Sequence, residues 1–410
     1  MFQLPDFRKF WSANLISTFG AEITWLALPL AAILLFDPSP FELGLLAAAG
    51  TLPYLLIGLI AGVWVDRLPR RPILISADLG RAVLLSLIPL LAWLDLLQLW
   101  HMIAIAFLSG VLTVFYDLAE EAYLPHLIGY DQLVEGNSAL AVIDATAELA
   151  APAAAAGLVR WLSAPFAIIA DAFSYLFSGL LLSRIEAVEP PIEKKAHEPL
   201  LQQVREGASF LFSHDLLRPY LLTGTQLQFF GGFKDALLIL FIVDVVGLPG
   251  YAIGLIYAVG SLSGLVSSFY AKRMIKRFGF GRNLAMMGTL MSIGWFFIPF
   301  MRGGFWTAFT IGSVGLFIAG IGNTNWNINI ATLKQSVTPN RMQGRVNASE
   351  GIFAMGAMPL GSLLGGIIAE QIGVHNTIIL ASFGTLLAST WIWFSPLPKL
   401  RDLPTIEDNG

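Results

Sequence analysis

Carboxylates inside long apolar segments are the residues of this chain whose type and spacing suggest chemistry. Asp144 and Glu148 lie four residues apart in ALAVIDATAELAAP, so a helix would place both on one face. Glu22 lies within the apolar segment FGAEITWL. A charge within a membrane is costly and normally faces a partner or a water-filled cavity, and desolvation favours the protonated form of a carboxyl group. Such groups can therefore exchange protons.

Further polar residues recur in other apolar segments, including the run NTNWNIN. Because polar groups at this density are poorly suited to contact with lipid, we expect them to line a cavity between two halves of the chain. The alternative for each residue is a structural contact between helices. The candidate residues of this proton and substrate pathway are Glu22, Asp144, Glu148, Asp171, Gln226, Asp235, Asn323, Trp326 and Asn327.

A second set of charged residues lies in and after the segment GVWVDRLPRR. Gly62 is expected to permit close helix approach, and Asp66 can cap a helix or pair with arginine. Asp78 and Arg81 are three residues apart and can share a helix face. We expect a cytoplasmic gate formed by a charge network of Asp78, Arg81, Asp117 and Glu120, next to the loop residues Gly62, Asp66, Arg67, Arg70 and Arg71. The alternatives are simple anchoring by the loop arginines and solvation of Glu120 and Glu121 at the interface.

The composition excludes several classes of protein. The 410 residues are 56% apolar and only 13% charged, with a mean hydropathy of +0.71. Soluble domains carry roughly 25% charged residues, so we predict a surface that faces lipid. The chain has no cysteine and five scattered histidines, which argues against a metal site and thiol catalysis. No phosphate-binding loop is present, so we expect no ATPase module, no catalytic residues and no cofactor. The net charge of −4 disfavours binding to nucleic acid.

Long apolar stretches predict an all-α membrane protein with twelve transmembrane helices in two pseudo-symmetric six-helix bundles. The predicted spans are residues 9–35, 41–65, 72–95, 99–124, 135–159, 164–184, 216–243, 249–274, 281–301, 303–332, 343–369 and 374–396. Of the 24 Lys and Arg residues, 20 fall on the side that holds both termini, which predicts cytoplasmic termini.

The polar stretch 185–215 divides the predicted spans into an N-terminal bundle, residues 1–184, and a C-terminal bundle, residues 216–396. We interpret this stretch as a cytoplasmic linker whose part from Pro199 forms an amphipathic helix on the membrane face. A plain solvated linker is the alternative. Residues 397–410 are predicted to form a cytoplasmic tail.

The two halves resemble each other at a nearly constant offset. Arg67 and Arg277 are 210 residues apart, as are Asn137 and Asn347, and two prolines of the fifth and eleventh predicted spans are 207 apart. Three matches in the same order favour an internal repeat. Two parallel six-helix halves are typical of a large class of transporters.

Three segments carry a family resemblance: GVWVDRLPRR, FYDLAEEAYLPHLIGYDQLVEGNSAL and TPNRMQGRVNASEGIFAMGAMPLGSLLGG. Over nearly its whole length the chain resembles the major facilitator superfamily, and within it the bacterial branch of macrolide efflux pumps and the enterobactin exporter. The resemblance implies that Gly62–Arg71 acts as a cytoplasmic latch, although Pro69 stands where the family usually has glycine. It also implies that the region of Pro152 corresponds to an antiporter signature in which alanine replaces most of the glycines.

These observations favour a secondary exporter of amphipathic, drug-like small molecules that works by alternating access in the bacterial cytoplasmic membrane. The proton gradient is its expected energy source, and lipid, substrate and protons are its expected partners, with the protein as a monomer. A dedicated siderophore or metabolite exporter is the alternative of the same fold. A lipid-modifying membrane enzyme is a remote alternative, because it would need a nucleophile and base or metal ligands.

Overall fold

The computed structural model describes residues 2–187, 189 and 200–403. The described chain forms thirteen α-helices and contains no β-strand, which confirms the predicted all-α class. Two compact units are present: Met1–Ala196 with Pro249–Ala258, and His197–Leu248 with Val259–Gly410. We refer to them as unit 1 and unit 2. Their division between 196 and 197 falls within the stretch 185–215.

Unit 1 contains six long helices: α1 (Pro5–Phe36), α2 (Pro40–Val65), α3 (Arg70–Trp93), α4 (Leu99–Ile128), α5 (Leu133–Leu162) and α6 (Ala164–Ser183). α1 packs on α5 and α6, α3 packs on α4 and α6, and α2 packs on α4. Local sequence defines the start of α2, where the Glu42 amide donates to Ser39 Oγ at 3.2 Å and the Ser39 amide donates to Glu42 Oε2 at 2.8 Å. This reciprocal cap precedes Pro40, which has the backbone angle that a first helical residue needs.

Small residues set the helix spacing in unit 1. A Cβ atom added to Gly110 of α4 would lie only 2.5 Å from the carbonyl oxygen of Gly50 in α2. The helices therefore approach more closely than a side chain would permit. Gly20 of α1 has the same function against Asp171 and Ser174 of α6.

Unit 2 contains most of the remaining helices: α7 (Leu200–Ser213), α8 (Leu217–Leu240), α9 (Gly250–Phe278), α10 (Phe280–Phe296), α11 (Phe305–Val337), α12 (Asn340–Ile372) and α13 (Val374–Trp393). Only the first turns of α9 belong to unit 1. α7 packs on α12, where Ser349 Oγ donates to the carbonyl of Val204 at 2.8 Å, Arg345 pairs with Glu206, and Leu211 is fully buried.

Each of the twelve predicted spans corresponds to one long helix, with α7 as the additional helix of the linker. Ten of these helices are long and apolar enough to cross a membrane, and α9 is an eleventh if its two parts, Gly250–Gly264 and Phe269–Phe278, are counted together. These two parts meet at an angle of 56°. α8 is not among the eleven, and it is the helix that carries Lys234 and Asp235.

Candidate functional site

A buried arginine lies at the centre of the charged residues of unit 1. Arg81 of α3 donates from Nη2 to Asp78 Oδ1 at 2.6 Å and from Nη1 to Thr113 Oγ1 of α4 at 3.3 Å. Its guanidinium carbon also lies 4.4 Å from the ring centre of Tyr116 and 4.1 Å from that of Tyr175. One carboxylate and two aromatic faces thus compensate a cation that is almost completely withdrawn from solvent.

Two further hydrogen bonds connect α4 to its neighbours. The Tyr54 hydroxyl of α2 donates to Asp117 Oδ2, and the Tyr116 hydroxyl donates to Asn14 Oδ1 of α1 at 3.0 Å. Since Tyr116 and Asp117 are adjacent in the sequence, one turn of α4 is held against both α1 and α2. Asp117 is therefore fixed in position by a neutral hydroxyl group.

Arg81, Tyr116 and Asp117 border a cavity of about 380 Å³ whose lining comes entirely from unit 1. Glu22, Glu120 and Asp144 approach it from α1, α4 and α5, and none of the three makes a hydrogen bond or ion pair with a described residue. The carboxylates of Asp144 and Glu148 repel that of Glu22. The lining residues are Asn14, Ser17, Thr18, Ala21, Glu22, Arg81, Thr113, Tyr116, Asp117, Glu120, Glu121, Leu124, Asn137, Leu140, Ile143, Asp144 and Tyr175.

The sequence assigned these cavity residues to two separate sites, and the structure brings them together. Glu22 and Asp144, predicted in the pathway, share the cavity with Arg81, Asp117 and Glu120, predicted in the gate. Glu148 is exposed on the next turn of α5 beyond Asp144 and does not line the cavity.

Other predicted pathway residues have structural contacts instead. Asp171 is buried and accepts a hydrogen bond from Ser174 Oγ at 2.9 Å. Gln226 donates to the carbonyl of Gly384 at 2.9 Å and accepts from the indole of Trp391 at 2.7 Å, which joins α8 to α13.

The remaining pathway candidates lie in unit 2 and do not form one cluster. Trp326 is buried in the core against Gly288, where an added Cβ would lie 2.9 Å from the indole. Asn327 donates to Asn323 at 3.4 Å, four residues earlier on α11. Asp235 is half-buried next to Lys234, whose ammonium lies 4.0 Å from the ring centre of Trp295.

The predicted gate loop contains a cap that the sequence did not reveal. The carboxylate of Glu189 accepts from the backbone amides of Arg70 and Arg71 at 2.8 and 2.7 Å, at the start of α3. The Arg71 side chain donates to the carbonyls of Leu182, at 3.1 Å, and of Ser183. The end of α6 is thereby attached to the start of α3. Asp66 and Arg67 are exposed at the end of α2.

The expectation for Gly62 is wrong. A Cβ added to Gly62 would meet no described atom within 4 Å, so close helix approach does not explain this glycine. The glycine that does permit such an approach between α2 and α4 is Gly110.

Sequence reasoning missed Tyr54, Tyr116, Tyr175 and Glu189. Tyrosines on three different helices converge only in the folded unit, and Glu189 lies in a stretch interpreted as linker. The one available signal was for Tyr116, which directly precedes the predicted gate residue Asp117 in the segment FYDLAEE.

Comparison with known proteins identifies a family and its fold. The family model described as Major Facilitator Superfamily matches residues 10–353. The chain is 25% identical over 412 residues to macrolide efflux protein A of Streptococcus pyogenes, with 97% of each chain covered. It is 26% identical over 411 residues to the multidrug efflux pump Tap of Mycolicibacterium fortuitum, with 95% of each covered.

Solved structures resemble the chain in fold alone. A bacterial homologue of the iron transporter ferroportin has a TM-score of 0.74 at 16% identity, with 95% of this chain and 98% of that chain covered. The nucleoside transporter NupG has a TM-score of 0.72 at 11% identity, with the same two shares covered. Among the described residues of the present chain, no group of three or more His, Asp or Glu side chains could hold a metal ion.

Proposed function

Because the chain belongs to the major facilitator superfamily, we propose that this multi-pass membrane transporter exports amphipathic organic cations in exchange for protons. It is a transporter rather than an enzyme. Two relatives named for macrolide and multidrug efflux support export of drug-like molecules. We further propose a location in the bacterial cytoplasmic membrane with both termini in the cytoplasm, as the distribution of Lys and Arg favours.

The charge of the unit 1 cavity is the observation that carries the proposal. Five carboxylates line it, those of Glu22, Asp117, Glu120, Glu121 and Asp144, against a single guanidinium. That guanidinium, from Arg81, already has its own buried counter-ion in Asp78. The lining thus carries an excess of negative charge, which attracts either protons or an organic cation.

Competition between these two cations provides the coupling. Glu22, Glu120 and Asp144 form no ion pair among the described residues, so each can be neutralised by a proton or by the charged group of a substrate. A bound cation raises the cost of retaining protons nearby, and protonation weakens the attraction for the cation. If the cavity opens alternately to the two sides of the membrane, the inward proton gradient drives the cation outward.

The apolar part of the same cavity suits the body of an amphipathic substrate. Ala21, Leu124, Leu140 and Ile143 lie among the carboxylates in the lining. The aromatic faces of Tyr116 and Tyr175 are occupied by Arg81, so the apolar contact is assigned to these aliphatic side chains. A cationic group joined to an apolar body would satisfy both parts of the lining.

We assign the loop between α2 and α3 to the cytoplasmic gate. Its support is the attachment of Arg70 and Arg71 to Glu189 and to the end of α6. A dedicated exporter of anionic siderophores is disfavoured, because the excess of carboxylates would repel such a substrate.

The proposal is tested in proteoliposomes with an acidic interior and a dye that reports internal pH. Ethidium, a permanently charged amphipathic cation, is added outside, and its uptake should raise internal pH as protons leave. The triple variant Glu22→Gln/Glu120→Gln/Asp144→Asn should lose this response, whereas Glu370→Gln, at an exposed position of α12, should retain it. Full coupled transport by the triple variant would overturn the proposal.

A further inference from the structure

Negative charge is absent from a long part of the sequence that forms much of unit 2. Between Asp244 and Glu350 the chain contains no Asp or Glu. The same stretch contains nine basic residues: Lys272, Arg273, Lys276, Arg277, Arg282, Arg302, Lys334, Arg341 and Arg345. A partner for the uncompensated cations among them must therefore come from elsewhere in the chain or from outside it.

Four of the cations lie on the part of α9 that follows its bend. Lys272, Arg273, Lys276 and Arg277 are all exposed on the segment Phe269–Phe278. Their spacing brings Lys272 beside Lys276 and Arg273 beside Arg277, one helical turn apart. Like charges at this spacing repel each other, so the segment is an unfavourable arrangement unless an anion lies against it.

The chain contributes further cations at the same place. The backbone amides of Phe280 and Gly281 donate to the carbonyls of Arg401 and Leu400, at 2.9 and 3.0 Å, which attaches the C-terminal segment to the start of α10. Three exposed cations, Arg282, Lys399 and Arg401, lie at this contact, together with one carboxylate, that of Asp402. The resulting α9–α10 basic surface consists of Lys272, Arg273, Lys276, Arg277, Arg282, Lys399 and Arg401. Within the described chain, none of the seven side chains forms an ion pair with a carboxylate.

Aromatic side chains show at what depth this surface lies. Phe269 is 79% exposed and Tyr270 is 53% exposed, directly before the basic turns of α9. The Arg273 guanidinium lies 5.9 Å from the ring centre of Tyr270, and that of Arg277 lies 5.4 Å from the ring centre of Phe278. Exposed aromatic rings next to cations are typical of the boundary between hydrocarbon and lipid headgroups.

We propose that the α9–α10 basic surface binds the headgroups of anionic phospholipids. The exposed rings enter the outer edge of the hydrocarbon, and the guanidinium and ammonium groups bind phosphate oxygens at headgroup level. The binding requires neither the unit 1 cavity nor proton exchange, so it does not depend on the proposed transport function. The positive-inside rule alone predicts cations here, but it predicts no preference for one lipid over another.

The test uses the full chain in nanodiscs. The association of fluorescent phosphatidylglycerol is measured relative to that of phosphatidylcholine by energy transfer from the protein's tryptophans. One variant is Arg273→Gln/Arg277→Gln. The matched control is Arg205→Gln/Arg218→Gln, which removes the same charge from two exposed arginines that each have an acidic residue within three positions.

We expect the wild-type protein and the control variant to prefer phosphatidylglycerol. In the Arg273/Arg277 variant, the ratio of phosphatidylglycerol to phosphatidylcholine association should fall at least about fivefold, because each cation near an anionic surface contributes about that factor. Melting temperatures in pure phosphatidylcholine should be equal for all three proteins, which shows that the variants are folded. Equal losses in both variants, or no lipid preference in the wild type, would overturn the proposal. Full competition by soluble glycerophosphate would also overturn it, because the surface would then bind free anions.

Discussion

The Asp78–Arg81 pair permits a quantitative test of how unit 1 holds a charge inside the membrane. The pair is joined at 2.6 Å, and the two side chains are 0% and 5% exposed. Removing one member of a buried pair leaves the other charge uncompensated, which costs roughly 3–5 kcal/mol. Asp78→Asn and Arg81→Met should each lower the free energy of unfolding by about this amount. Arg81→Met also removes two cation–π contacts, each worth about 1–2 kcal/mol when desolvated.

The double variant Asp78→Asn/Arg81→Met should be less destabilised than the sum of the single variants, because neither charge remains. We expect a coupling energy of about 3 kcal/mol from the double-mutant cycle, measured by reversible denaturation in mixed micelles. The pair Thr113→Val and Arg81→Met, which shares only a 3.3 Å hydrogen bond, serves as a comparison with a coupling of about 1 kcal/mol. Strict additivity for Asp78 and Arg81 would show that the two charges are solvated and would refute this reasoning.

Three further perturbations examine individual contacts. Tyr54→Phe should release the Asp117 carboxylate and change the apparent affinity for a cationic substrate severalfold in a binding titration, while an unchanged affinity would show that Asp117 does not contact substrate. Glu189→Gln should lower the free energy of unfolding by about 1 kcal/mol, because the amides at the start of α3 lose a charged acceptor, and a neutral effect would contradict the assigned cap. Gly110→Ala should cost about 1–3 kcal/mol, whereas Gly62→Ala should be neutral or stabilising, so equal thermal shifts for the two would exclude the packing difference.

The sequence alone predicted the long helices and the contacts within a single helix, because both depend on hydropathy and helix period. Twelve long helices follow from apolar runs, and the pairing of Asp78 with Arg81 follows from their spacing along one helix. The cavity could not be predicted in the same way, because Glu22, Glu120 and Asp144 meet only through the packing of α1, α4 and α5. The pattern therefore divided one set of residues between a pathway and a gate.

Aromatic and small residues were the least predictable, since their type does not reveal what they contact. Trp326 lies in a run of asparagines, yet its ring fills the space left by the missing side chain of Gly288. Gly62 belongs to a recognisable loop motif, yet no described atom lies close enough to require glycine. In both cases the deciding neighbour is distant in sequence or missing, and local spacing carries no information about it.

The central claim is that an organic cation and protons compete for the carboxylates of the unit 1 cavity. It is tested most directly by adding tetraphenylphosphonium to the purified protein in weakly buffered detergent solution and measuring the release of protons with a pH-sensitive dye. We predict release by the wild type and by Glu135→Gln, an exposed position at the start of α5. We predict none from Glu22→Gln/Glu120→Gln/Asp144→Asn. Equal proton release by the triple variant, or binding of the cation without any release, would contradict the account.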